Sequence, residues 1–122
     1  ARQLGVAAAY AERRADGQPE REFRRGTTFV TGQRVLLIDD ILTTGGSVRE
    51  TLAALAKQPV EIVGIGVLVD RSGGKTTFGH VPLFALATLD VETWDPSSCP
   101  LCCAGIAVVK PGTTAMSLSR ND

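Results

Sequence analysis

Several things are missing from this chain, and each absence closes off a class of function. No stretch approaches the roughly 20 consecutive apolar residues that cross a bilayer, so no membrane-spanning segment is expected. Lys and Arg number 13 and Asp and Glu number 13, a formal net charge of zero. Bulk charge therefore points to no nucleic-acid partner. Cysteine is scarce and bunched: Cys99, Cys102 and Cys103 do not make a secreted disulfide framework. No signal-peptide pattern opens the sequence, so the expected compartment is the cytoplasm. No internal repeat or low-complexity tract is visible, and the common phosphate signatures, Gly-x-x-x-x-Gly-Lys and Gly-x-Gly-x-x-Gly, are both absent.

What is present is enough for one modest globular domain: 122 residues, 43% of them hydrophobic. The most informative stretch, 34–55, reads RVLLIDDILTTGGSVRETLAAL. Val35, Leu36, Leu37 and Ile38 form an apolar run without alternation, which predicts a strand over 34–38 buried on both faces of a parallel sheet. Asp39 and Asp40 lie at its carboxyl end, the edge at which open α/β sheets bind ligands. Val48, Leu52, Leu55 and Ala56 recur at helical spacing and predict a helix over 47–57. Ser47 or Thr44 is the expected N-cap, and Ser47 with Glu50 fits the capping box.

Two adjacent acids directly after four apolar residues repel each other and resist desolvation unless a cation or hydroxyls compensate. Thr43, Thr44, Gly45, Gly46 and Ser47 then offer hydroxyls and closely approachable backbone, and a helix start offers N–H groups to an anion. An ordinary strand–turn–helix with good caps explains Ser47 and Glu50 but neither the Asp pair nor the double Thr. The expectation is a socket for a ribose 5-phosphate group.

IDDILTTGGSV resembles the phosphoribosyl-pyrophosphate (PRPP) motif of the type I phosphoribosyltransferases. The resemblance implies an α/β fold, Rossmann-like and three-layered, with a parallel central sheet flanked by helices. It implies that Asp39 and Asp40 bind the ribose 2- and 3-hydroxyls, partly through Mg²⁺, that Asp40 and Asp39 are the catalytic pair, and that Ile41, Leu42 and Thr43 through Ser47 line the phosphate cradle.

The flanks narrow the likeness. YAER at Tyr10, FRRG closing at Gly26, Asp70-Arg71 with Ser72-Gly73-Gly74, and the later CPLC and KPG segments resemble the orotate phosphoribosyltransferase branch over most of 1–112. That branch makes orotidine 5′-monophosphate and pyrophosphate from PRPP and orotate, for pyrimidine synthesis. The resemblance implies that Arg71 and Thr43 contact the base; a guanidinium fork suits the orotate carboxylate. From the residues alone, a surface arginine paired with Asp70 serves Arg71 equally well.

Segment 12–25 mixes Arg13, Arg14, Arg21, Arg24 and Arg25 with Glu12, Asp16, Glu20 and Glu22, and Asp16-Gly17 and Pro19 supply turn chemistry. A charged hairpin is expected, with a return arm reaching into 27–30. By resemblance it is a basic loop in which Arg13 and Arg14 cover pyrophosphate, shared between the sites of a homodimer. The family's lysine and histidine are missing from it; arginine neutralises charge but is a poor proton donor. A solvated, self-compensating hairpin is the plainer reading.

Cys99-Pro100-Leu101-Cys102 has zinc-knuckle spacing, but Cys103 is badly placed to share the metal and His80 is the only histidine. Three readings stay open: a tight turn with buried thiols, Zn²⁺ held by Cys99 and Cys102, and a redox pair. Further strands are expected at 6–10, 61–69, 83–86 and 91–94, with 1–4 as the end of a helix stopped by Gly5. Trp94 is expected in a core or dimer interface, and 113–122 as a polar tail. The opening at Ala1 reads as that of a fragment, since the family carries a further upstream stretch. Two alternatives to the orotate enzyme remain: transfer to another base, and a non-catalytic PRPP or nucleotide sensor of the same fold.

Overall fold

A computed structural model describes residues 1–106 except Pro19, Arg25, Thr93 and Pro96. The chain divides into two compact units, Ala1–Val91 and Glu92–Asp122.

In the first unit a single 3₁₀ turn, Arg2–Leu4, ends at Gly5. Strands β1 (Ala11–Arg13) and β2 (Arg21–Phe23) form an antiparallel hairpin. Strand β3 (Gln33–Leu42), helix α1 (Gly46–Leu55), strand β4 (Val60–Asp70) and strand β5 (Leu83–Thr88) follow. The sheet runs β3-β4-β5 and both pairings are parallel, with Leu37 opposite Ile65, Asp39 opposite Val67 and Gly66 opposite Phe84. Strand, helix and parallel strand in succession are what the alternation of apolar run and amphipathic segment predicts.

The core lies between α1 and one face of the sheet. Val48 and Leu55 from the helix meet Leu37, Leu42, Ile65 and Val67 from the strands and Phe78 from the loop after β4. The hairpin closes one side of it: Phe23 and Phe29 stand edge to face at 4.9 Å against this cluster. The opposite sheet face is different. Leu36, Ile38, Leu68, Phe84 and Leu86 stay exposed, Leu86 by 83%. The expected burial of the 35–38 run on both faces therefore fails for Leu36 and Ile38; among the described residues the helix layer covers one face only.

Other expectations are corrected. No strand forms at 6–10; those residues are exposed, and pairing begins at Ala11. The hairpin returns through Arg21–Phe23, not through 27–30. No strand is assigned among the described residues of 91–94, and Trp94 is half exposed. Strand β3 does not stop at Ile38: its ladder continues because Asp39, Ile41 and Leu42 pair with Val67, Val69 and Asp70 on the longer β4. The KPG segment and the tail lie outside the described residues.

In the second unit the described regular element is a one-turn helix, α2 (Pro100–Cys103), with Cys99 at its N-cap.

Candidate functional site

The site is built where β3 ends and α1 begins. Asp39 and Asp40 ride on the last turns of the pleat, still within the ladder. One carboxylate oxygen of Asp39 accepts the Asp40 N–H at 3.0 Å. The other accepts the Ser47 hydroxyl at 2.8 Å. Asp40 accepts the Ile41 N–H at 2.7 Å and is exposed. Its second oxygen has no protein partner among the described residues and is an open acceptor.

The expected capping arrangement is not what forms. Gly45 is the N-cap, with φ 80°, and no side chain caps the helix. Ser47 lies inside the first turn with its hydroxyl committed to Asp39, and Glu50 is committed to Arg21 at 3.2 Å. The N–H groups of a helix's first turn have no partner within the helix. Left uncapped, they face the same edge as the carboxylates, with Thr43, Thr44 and Gly46 exposed beside them. Residues 43–47 thus follow the two acids directly at the carboxyl end of β3, with the Ser47 hydroxyl tied to Asp39.

The packing under Gly45 is not legible in the loop's own residues. Gly45 is buried beneath the loop that follows β4: a Cβ at position 45 would meet the Phe78 ring at 2.9 Å and the Thr76 methyl at 3.0 Å. The Thr76 hydroxyl donates to the Thr43 carbonyl at 3.3 Å. Arg49, in the first turn of α1, donates to the Thr77 carbonyl at 3.3 Å and stacks over the Phe78 ring at 5.0 Å. Phe78 itself is 7% exposed. An apolar residue between polar neighbours in the sequence signals burial, but nothing in the spacing says which loop it supports.

Arg71 is carried to this edge by the sheet itself. Its N–H donates to the Leu42 carbonyl at 2.8 Å, so the residue after β4 is stitched to the last residue of β3, one step before Thr43. Asp70 holds the following loop: the residue is 2% exposed and its carboxylate accepts the Ser72 N–H at 2.7 Å and the Gly74 N–H at 3.1 Å. The Ser72 hydroxyl first, and then those N–H groups, keep the Asp70 carboxyl below the usual carboxylate range, against the opposing effect of burial. Asp70 is thereby occupied with backbone, and the reading in which it pairs with the Arg71 side chain gains nothing: no ion pair joins them among the described residues.

Among the described residues no hydrogen bond or ion pair ties Arg13 or Arg14 to this edge. The hairpin lies along α1, pinned by Arg21 to Glu50 and by Glu20 to Lys57, each at 3.2 Å. Arg14 pairs with Asp16 at 2.6 Å and lines a cleft of about 260 Å³ together with Lys57 and Gln58, beyond the helix's last turn. A ten-residue helix is about 15 Å long. Within the hairpin Arg14 pairs with Asp16 and Arg24 with Glu12, while Arg21 and Glu20 pair with Glu50 and Lys57.

The three cysteines are free thiols, Cys99 half-buried and Cys102 and Cys103 exposed. The tight-turn reading with buried thiols is therefore corrected: the segment is a helical turn at the surface. Among the described residues no group of three or more His, Cys, Asp or Glu side chains stands close enough to hold a metal ion, which leaves the zinc reading of Cys99 and Cys102 without support. No helix among the described residues is long and apolar enough to cross a membrane.

The family model of the phosphoribosyl transferase domain matches residues 1–88, which include the paired acids, the Thr/Gly loop and α1. The chain belongs to that family. It is also similar to curated orotate phosphoribosyltransferases: 46% identical to that of Caldicellulosiruptor bescii over 93% of this chain and 57% of the relative. The orotate phosphoribosyltransferase of Methylobacterium is 46% identical over 94% of this chain and 57% of its own. That of Acidithiobacillus ferrooxidans is 40% identical over 95% and 58%. The chain thus spans rather more than half the length of the curated relatives it matches.

Proposed function

We propose that this chain carries the PRPP-binding part of an orotate phosphoribosyltransferase. One observation carries the reading most: Asp39, Asp40, the open first turn of α1 and Arg71 converge on one edge, with the Arg71 N–H bonded to Leu42 at 2.8 Å. A phosphate sits on the N–H groups of the loop and helix start, with Thr43, Thr44 and Ser47 hydroxyls adding donors. The carboxylates then face the ribose hydroxyls, which donate to the free Asp40 oxygen. Arg71, on the adjacent strand end, faces the base and offers a planar fork to the orotate carboxylate.

The acids also suit magnesium. Mg²⁺ keeps several waters and binds through one or two carboxylates plus substrate phosphates, so a pair of acids with one open acceptor is sufficient. Bound there, the ion supplies positive charge to the phosphates of PRPP. The protein's own part is positioning and charge: breaking the bond from C1 to pyrophosphate builds positive charge on the ribose ring beside Asp39 and Asp40, which are fixed before substrate arrives. Arg14 lines a cleft with Lys57 and Gln58 in its own chain, away from the acids, and in our reading Arg13 and Arg14 serve pyrophosphate at the neighbouring site of a homodimer.

The test is calorimetric titration of the protein with PRPP and Mg²⁺, then with orotidine 5′-monophosphate. Saturable PRPP binding that weakens at least about tenfold (about 1.4 kcal/mol) in Asp40→Asn, with orotidine 5′-monophosphate binding lost in Arg71→Ala, is the expected result. PRPP binding with no response to orotate compounds would replace this reading by another base or by a nucleotide sensor.

A further inference from the structure

Three consecutive residues of the loop after β4 reach back to the segment that joins β3 to α1. The Thr76 hydroxyl donates to the Thr43 carbonyl at 3.3 Å. The Thr77 carbonyl accepts an N–H of the Arg49 guanidinium at 3.3 Å. The Phe78 ring lies under Gly45, 2.9 Å from where a Cβ there would stand, with the Thr76 methyl at 3.0 Å. One short stretch thus touches the start, the middle and the end of 43–49. The stretch is itself anchored to the end of β4. Buried Asp70 accepts the Ser72 N–H at 2.7 Å, and the Ser72 hydroxyl accepts the Thr76 N–H at 3.1 Å.

What the Thr76 hydroxyl does follows from the shape of a peptide group. The group is planar and trans, so its C=O and N–H point in opposite directions. The Thr43 carbonyl and the Thr44 N–H belong to one such group. Bonding that carbonyl to Thr76 turns the Thr44 N–H away from Thr76, and this N–H has no protein partner among the described residues. The N–H groups of Gly46, Ser47 and Val48 open α1 and have no partner within the helix either. Freed from Thr76, the peptide can turn over and present its carbonyl oxygen where the N–H stood, which repels an anion.

We infer that Thr76 is a positioning residue for the 5-phosphate: by holding the Thr43 carbonyl it aims the Thr44 N–H at the phosphate that the first turn of α1 also receives. This role rests on the phosphate-binding reading of 43–47 proposed above. Phe78 supports the same loop from beneath, and Arg49 ties α1 to the stretch that carries Thr76 and Phe78, stacking over the ring at 5.0 Å. Loop and helix start thereby keep one relation, and donors fixed in advance bind an anion without first being ordered. Thr76 touches no substrate; it acts through the Thr44 N–H.

The experiment titrates the protein with orotidine 5′-monophosphate and with orotidine, which differ only by the 5-phosphate, and with PRPP and Mg²⁺. Thr76→Val keeps the methyl under Gly45 and removes the hydroxyl; Thr76→Ser does the reverse. In Thr76→Val, orotidine 5′-monophosphate and PRPP should bind roughly tenfold more weakly, with orotidine within about twofold of wild type. Thr76→Ser should stay within about twofold of wild type for all three. A merely structural contact would lower the urea midpoint yet leave the preference for the phosphorylated ligand unchanged, since the titrations are made without denaturant. Thr76→Val with the wild-type preference, or Thr76→Ser without it, would overturn the role and leave the phosphate site standing. A wild type that binds PRPP no better than orotidine, and does not prefer orotidine 5′-monophosphate, would remove the phosphate site and this role with it. If PRPP alone binds, its affinity in the Val and Ser variants decides. If Thr76→Val folds poorly, Thr76→Ala compared with Thr76→Ser isolates the same hydroxyl.

Discussion

The Ser47 hydroxyl donates to the Asp39 carboxylate at 2.8 Å across eight residues of chain, and this bond joins the end of β3 to the first turn of α1. It holds an acid and a helix start in one fixed relation before any ligand is present. Ser47→Ala leaves Asp39 with the Asp40 N–H as its remaining partner among the described residues. Losing one hydrogen bond to a charged group costs about 1–2 kcal/mol of folding stability. Urea unfolding should show a lower midpoint with an unchanged slope, and, on the proposed reading in which Ser47 holds the 5-phosphate, PRPP affinity should fall beyond what that loss explains. Equal PRPP affinity in Ser47→Ala and wild type would place the hydroxyl outside the site.

Gly45→Ala should be more damaging than its one methyl suggests. The backbone at 45 has φ 80°, where an L-residue is strained by roughly 1–2 kcal/mol. The added Cβ also meets the Phe78 ring at 2.9 Å. Together they should cost about 2–4 kcal/mol. Phe78→Leu removes the ring but not the strain, so a double-mutant cycle should recover part of the loss and leave the φ penalty. Full additivity of the two substitutions would mean that the ring does not bear on Gly45.

How far the sequence announced this site depends on the distance over which each contact acts. The Asp pair, the Thr/Gly/Ser loop and the amphipathic stretch after it are neighbours in the chain, and their chemistry is local, so they could be read directly. The cap could not: Ser47 satisfies the spacing of a capping box, yet its hydroxyl is claimed by Asp39, a competitor that only the path of the strand into the helix brings within reach. Thr76 and Phe78 were missed for the same reason at longer range, since Thr76 bonds to Thr43 across 33 residues. The false strand at 6–10 came from an apolar run judged without a partner; extended backbone needs a neighbour, and pairing begins only at Ala11. Arg13 and Arg14 were legible as a charged loop, but the ion pairs from Arg21 to Glu50 and from Glu20 to Lys57, which lay that loop along α1, depend on the docked hairpin.

Asp70 makes stability depend on pH. Its folded carboxyl is held below the unfolded value of 3.8 by Ser72 and Gly74. A lowered folded value means the native state keeps the charged form to lower pH than the unfolded chain does. The contribution is therefore fully present above the unfolded value and lost as pH falls through the folded one. Between neutral pH and pH 5 the midpoint of urea unfolding should not move on account of Asp70; below about 4 it should drop. Asp70→Asn keeps the shape but loses a charged acceptor for two N–H groups, at a cost of about 2 kcal/mol at neutral pH, and its stability should fall less steeply in acid. A variant that follows the wild-type acid slope would assign that slope to other carboxylates.

The uncovered sheet face has a consequence for how the 122-residue chain behaves in solution. Ile38 is 67% exposed and Phe84 64%, beside Leu36, Leu68 and Leu86 on the same side of three parallel strands. Gly64 and Gly66 deepen the surface between them: the Leu36 and Phe84 side chains lie 3.4 and 3.6 Å from where a Cβ at 64 would stand, and Ile38 2.9 Å from one at 66. Parallel sheets rarely leave a face to water, because their strands are apolar on both sides, and a contiguous patch of this kind binds apolar probes and self-associates. The chain should therefore enhance the fluorescence of an anilinonaphthalene dye in its native state, at denaturant concentrations far below the unfolding midpoint. Phe84→Glu with Leu86→Lys removes the two largest exposed groups of β5 without touching the Leu37–Ile65–Val67 core. Dye binding should drop by more than half and solubility should rise, while the unfolding midpoint should change little, since side chains already in water contribute little burial to lose. A double variant that unfolds much more readily than the wild type would show that this face is buried in solution.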